Sequence, residues 1–75
     1  MLQKAIEFFE MEYKEELKTM DSKPDWYDPK KHIQLTIHRC LGVAQFVQEC
    51  GVTYAEIGPH YTKVREKLEK LLLDN

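Results

Sequence analysis

The chain is predicted to fold as an all-α, three-helix bundle. Its 75 residues leave room for one domain, residues 1–75, and one core. Apolar residues recur at steps of three and four over three separate stretches, the pattern of amphipathic helices. Between those stretches stand two short segments whose residues stop one helix and start the next.

The first helix is predicted from about Leu2 to Met20. Leu2, Ile6, Phe9, Tyr13, Leu17 and Met20 step by four, three, four, four and three, and Ala5 joins them. Glu7, Glu10, Lys14 and Lys18 fall opposite, with Glu10 and Lys14 four apart as a helpful ion pair. Phe8 and Met11 leave this stripe by about 100° or more and are expected to form a second, smaller apolar patch. Residues 21–28 read as a loop, with Pro24 and turn-forming Asp and Ser. It closes on Asp28-Pro29, a helix N-cap followed by proline in the first helical position. Trp26 and Tyr27, just outside that cap, are expected to lid the core.

The second helix is predicted from about Pro29 to Cys50. Ile33, Ile37, Cys40, Leu41, Val43, Ala44 and Val47 fill a broad face. Leu35 and Phe46 lie on a different side with Arg39 and Gly42 between them, and only Gln34, His38, Gln45 and Glu49 make a narrow polar strip. Such an apolar girdle predicts a central helix buried by more than one neighbour. Gly42 would admit a close helix approach, and a neighbour from another molecule is a further way to cover the girdle.

The next connection carries the clearest local signals. Gly51 follows the last periodic residue as a left-handed C′ glycine would. Thr53 and Glu56 form a T-x-x-E capping box, and Val52 and Ile57 match a hydrophobic staple. The third helix, about 54–73, is striped by Tyr54, Ile57, Tyr61, Val64, Leu68 and Leu71. That stripe runs through Gly58-Pro59. An interior proline removes a backbone hydrogen bond, so one turn, a kink and then a straight helix are expected. Leu72 and Leu73 widen the apolar face near its end.

The net charge of −2 disfavours a dedicated nucleic-acid binder. Residues 1–28 carry four Lys against eight acids, a net of −4, and the remainder comes to +2. The acids lie largely on the outer face of the first helix, which reads as solvated and complementary to a mildly basic remainder. The only cysteines, Cys40 and Cys50, stand ten apart on one helix, about 15 Å, beyond the roughly 7 Å a disulfide spans. They read as free thiols acting as small core residues, which suits a reducing cytoplasm. There is no signal peptide, lipidation motif or apolar run of membrane-spanning length, so a cytoplasmic protein without a membrane role is expected.

No catalytic, cofactor-binding or metal-binding set is predicted, nor a small-molecule substrate. There is no glycine-rich phosphate loop, nucleophile elbow or H-E-x-x-H. Glu12 and Glu16, four apart on the edge of the first stripe, read as acids at a core margin rather than as a metal or proton-sharing pair. Glu56 and His60 share ligand spacing, but the capping box already accounts for Glu56. His32 and His38 align with no second ligand and read as helix-edge histidines. The chain is therefore expected not to be an enzyme.

The run VQECGVTYAEI resembles the helix-turn-helix signature, with Gly51 at the turn, Val52 after it and Ile57 six beyond the glycine. The resemblance implies a DNA-binding regulator using residues 43–61. Against it, Val47 stands where the motif prefers a small residue, Pro59 falls inside the would-be recognition helix, and no early Arg or Lys is offered to a groove. Any αα-corner with a glycine turn, cap and staple produces the same pattern. The runs HRCLGVAQFVQECGV and KVREKLEKLL resemble small uncharacterised proteins of Gram-positive bacteria and their mobile elements, a resemblance that brings no activity with it. The expected role is a non-enzymatic protein-interaction module, with a protein partner or self-association as a homodimer. Its surface is expected to be the apolar surplus of Phe8, Met11, Leu35, Phe46 and Leu73 together with Arg39.

Overall fold

The computed structural model describes residues 1–74, and all three predicted helices are present: α1 (Leu2–Ser22), α2 (Pro29–Glu49) and α3 (Tyr54–Leu73). Each helix packs against both of the others. The direction of the chain follows from paired residues. Glu12 meets Arg39 and Glu16 meets Thr36, so rising numbers on α1 meet falling numbers on α2, and the two are antiparallel. Phe9 meets Tyr61 and Tyr13 meets Lys67, so α1 and α3 run the same way. The bundle is up-down-up, 41 Å along its longest axis and 18 by 16 Å across.

α1 continues two residues past the expected Met20. Asp21 and Ser22 extend the helix instead of opening the loop, and the Ser22 hydroxyl donates to the Thr19 carbonyl at 3.2 Å. The chain turns at Lys23, left-handed at φ 47°, whose N–H also donates to Thr19 O. α2 starts as expected, with the Asp28 carboxylate accepting from the Lys31 N–H and Pro29 in the first turn.

At the other end of α2, the Val52 N–H donates to Val47 O and the Gly51 N–H to Gln48 O. This paired closure, with Gly51 at φ 107°, is the Schellman arrangement that a left-handed glycine permits. The capping box is complete: the Glu56 N–H donates to Thr53 Oγ1, and Glu56 Oε1 accepts from the Thr53 N–H at 3.1 Å. Val52 packs against the core and Ile57 is fully buried.

α3 is helical from Tyr54 to Leu73 with Pro59 inside it. Gly58 is buried beneath the Tyr54 ring, and a Cβ there would stand 3.0 Å from Tyr54 Cζ.

The apolar core comprises Ala5 and Phe9 from α1, Ile33, Cys40, Ala44 and Val47 from α2, and Ile57, Val64 and Leu68 from α3. On α1 the buried line is Ala5, Phe9, Glu12 and Glu16, stepping four, three, four. It is rotated from the expected stripe, whose Leu17 is exposed. The third helix packs beside α1 as well as α2, so α2 is one corner of a triangle and not a covered centre. One long face of α2 consequently stays open.

Candidate interaction surface and the polar cluster beside it

Leu35, Arg39, Gly42 and Phe46 step four, three, four along α2 and share one face. All four are exposed. Leu35 keeps 58% of its surface and Phe46 59%. Gly42 corrects the expectation of a close approach within the chain, because a Cβ built there meets nothing within 4 Å. A glycine inside a helix costs about 1 kcal/mol relative to alanine, and no intramolecular contact repays it. Beside this stripe lies the edge of α1 that carries Phe8 and Met11, placed there by the ion pair from Glu12 to Arg39. Phe8 is half-buried against the core and Met11 is exposed. Leu73 stands apart at the end of α3, whose Leu72 lines a hollow with Asp28, Pro29 and Lys30. Five of the six predicted surface residues therefore lie on α2 and the neighbouring edge of α1, and Leu73 does not.

Below the stripe is a polar cluster that sequence spacing did not disclose. Glu16 is 1% exposed, and its carboxylate accepts from three side chains. Thr36 Oγ1 donates to Oε1 at 2.7 Å, the Tyr27 hydroxyl to Oε2 at 2.5 Å, and His32 Nδ1 lies 2.8 and 2.9 Å from the two oxygens. The Nδ1 position next to a carboxylate makes it the proton-bearing nitrogen of that ring. Glu12, also buried, accepts from Arg39 Nε at 2.6 Å and from Nη2 at 3.4 Å. Arg39 Nη2 further donates to Thr36 Oγ1 at 3.1 Å, which joins the two carboxylates into one network.

Three expectations are corrected here. Glu12 and Glu16 are interior acids, not acids at a core margin. His32 is a partner of Glu16 and not an unattached helix-edge histidine, because α2 runs antiparallel and its first turns pass the last turns of α1. Tyr27 closes over this polar cluster instead of the apolar core, and Trp26 is 67% exposed, resting edge-on against Tyr27 with His32 5.7 Å away. A signal for the cluster was present. Thr36 falls on the buried line Ile33, Thr36, Cys40, Ala44, Val47, which steps three, four, four, three. A hydroxyl on that line, opposite two acids on the buried line of α1, marks a polar contact between the helices.

Electrostatics follow from this packing. The Glu12 carboxylate, through its hydrogen bond, holds Arg39 above its ordinary pKa. Partial burial, then the hydrogen bond to Glu16 and its charge, push the Tyr27 phenol up. Burial and the Glu12 charge push the Cys40 thiol up to about 12, against a smaller opposing effect of Arg39. The two cysteines differ: Cys40 is buried as expected, but Cys50 is exposed, and both are free.

Among the described residues, every buried side-chain polar atom has a hydrogen-bond partner, and no three His, Cys, Asp or Glu are grouped to hold a metal ion. Glu56 is engaged by the Thr53 cap, while His60 lines a hollow of about 90 Å³ with Ile6, Phe9, Glu10, Lys63, Val64 and Lys67. Ligand pockets usually measure about 300–1,000 Å³; two larger depressions lie open to solvent. Among the described residues, no helix is long and apolar enough to cross a membrane. The chain matches no protein-family profile, no curated protein and no solved structure.

Proposed function

We propose that the protein is a cytoplasmic, non-enzymatic interaction module that docks through the α2 stripe and the adjoining edge of α1. The carrying observation is the combination at one place of exposed Leu35 and Phe46 with a mid-helix Gly42 that faces open space. Scattered exposed apolar residues are ordinary on any protein. A contiguous stripe with a small residue at its middle is the shape a second helix packs into. The polar cluster supports this role from beneath, because it holds Arg39 and the two helices in a fixed relation.

A photo-crosslinking amino acid at position 46, with exposed Glu66 as the control position, tests the reading in cells producing the protein. Discrete protein adducts at 46 and none at 66 are expected. Absence of adducts at 46 overturns the reading. The DNA-binding alternative would have to use a helix whose Glu56 is engaged by its own cap and whose first basic residue is Lys63, and no observation favours it.

A further inference from the structure

Resting on the reading of this face as a docking surface, we infer that its occupant is a second copy of the same chain, packed α2 against α2 in antiparallel orientation. The two-fold axis lies at the level midway between residues 40 and 41. The first support is the spacing. Leu35, Arg39, Gly42 and Phe46 step four, three, four, an order that reads the same in both directions. An antiparallel copy therefore sets Leu35 against the partner's Phe46 and Arg39 against the partner's Gly42, each twice. This is the large-against-small and apolar-against-apolar matching that lets helices interdigitate.

Size and charge agree with this register. The stem of Arg39 can lie over the partner's Gly42, which offers no Cβ, while its guanidinium is already neutralised by Glu12 at 2.6 Å. No unpaired charge enters the interface. Beside Leu35 a shallow hollow lined by Lys31, Gln34 and His38 can receive the partner's Phe46.

The helix ends carry the orientation. Lys31 and Glu49 are 18 residues apart, five full turns at 3.6 residues each, so both lie along the edge of the exposed face. They sit at the wrong ends for their own helix: α2 has no acid in its first turn and no base in its last, the reverse of what the helix dipole favours. In the antiparallel pair each Lys31 comes beside the partner's Glu49, and opposite charges meet at both ends of that edge. A parallel pair would set like charges together.

The test measures the mass of the full chain by sedimentation equilibrium over a range of concentrations. A rise from 8.9 kDa to twice that value is expected. Phe46→Glu should weaken association by about tenfold or more while leaving the far-ultraviolet helical signal unchanged, since Phe46 is exposed. Lys31→Glu alone and Glu49→Lys alone should each weaken it by about threefold or more, although both agree better with the helix dipole and should not loosen the monomer. An equimolar mixture of the two variants should associate as the wild type does, because both end pairs are again of opposite sign. Failure of the mixture to recover overturns the antiparallel register. A mass of 8.9 kDa at every concentration overturns self-association, and adducts at position 46 with other proteins would then leave the docking surface standing.

Discussion

Glu16 shows what one buried residue can impose on a chain this small. A carboxylate removed from water is tolerated only when its oxygens are satisfied, and here Thr36, Tyr27 and His32 satisfy them. Removing Glu16 takes the shared acceptor from Thr36, Tyr27 and His32, of which Thr36 keeps the His32 carbonyl and Arg39 as partners, and costs about 1–3 kcal/mol. Glu16→Ala should therefore lower unfolding stability by about that amount in urea titration, and Glu16→Gln by distinctly less, because the amide oxygen still accepts from Thr36. The cysteines make a second residue-scale prediction. Exposed Cys50 should react with a thiol reagent at pH 8, whereas Cys40, buried and with its thiol pushed up to about 12 by that burial, should react only on unfolding. In Cys50→Ser the native protein should show no fast-reacting thiol.

At the scale of the element, the α2–α3 corner was legible before any tertiary contact was known. Gly51, Thr53 and Glu56 act within a few residues of themselves, and each took the predicted place. Thr53→Ala should cost about 1 kcal/mol, measured by denaturant unfolding. The same cap makes a pH prediction. Hydrogen bonds from the Thr53 backbone and hydroxyl hold the Glu56 carboxyl below its ordinary 4.5. A folded-state pKa that is lowered contributes stability above the ordinary value and loses it as pH falls through the lowered one. Thr53→Ala keeps the backbone bond and loses only the hydroxyl one, so it should make the acid limb of the stability profile below pH 4.5 shallower without abolishing it and leave neutral-pH behaviour parallel to the wild type. Gly42→Ala is the contrasting case in a helix interior. Nothing in the chain obstructs the added methyl, so the dilute monomer should gain up to about 1 kcal/mol.

The whole molecule is small enough that its open face matters. A domain of this length buries roughly 60–65% of its unfolded surface and is marginally stable alone, and among the described residues neither a disulfide nor a metal-binding group supplements its core. Covering the α2 stripe would add stability by mass action. The thermal midpoint should accordingly rise with protein concentration in the wild type and rise less over the same range in Phe46→Glu, as followed by circular dichroism.

What the sequence determined by itself was everything set by contacts three or four residues apart. That includes the number and type of helices, the Asp28 and Thr53 caps, the Gly51 stop and the surplus of apolar residues on α2. Helical periodicity and capping are local physics, and local spacing suffices to read them. Only the tertiary structure decided which way each helix turns about its own axis. The rotation of α1 put Glu12 and Glu16 inside, where their partners come from 11 to 27 residues away. The placement of α3 beside both other helices left Leu35 and Phe46 outside. No local rule chooses between burying Leu17 and burying Glu16. That choice is made when three helices compete to cover one another, and here a fully hydrogen-bonded carboxylate occupies the interface while Leu17, Leu35 and Phe46 face solvent.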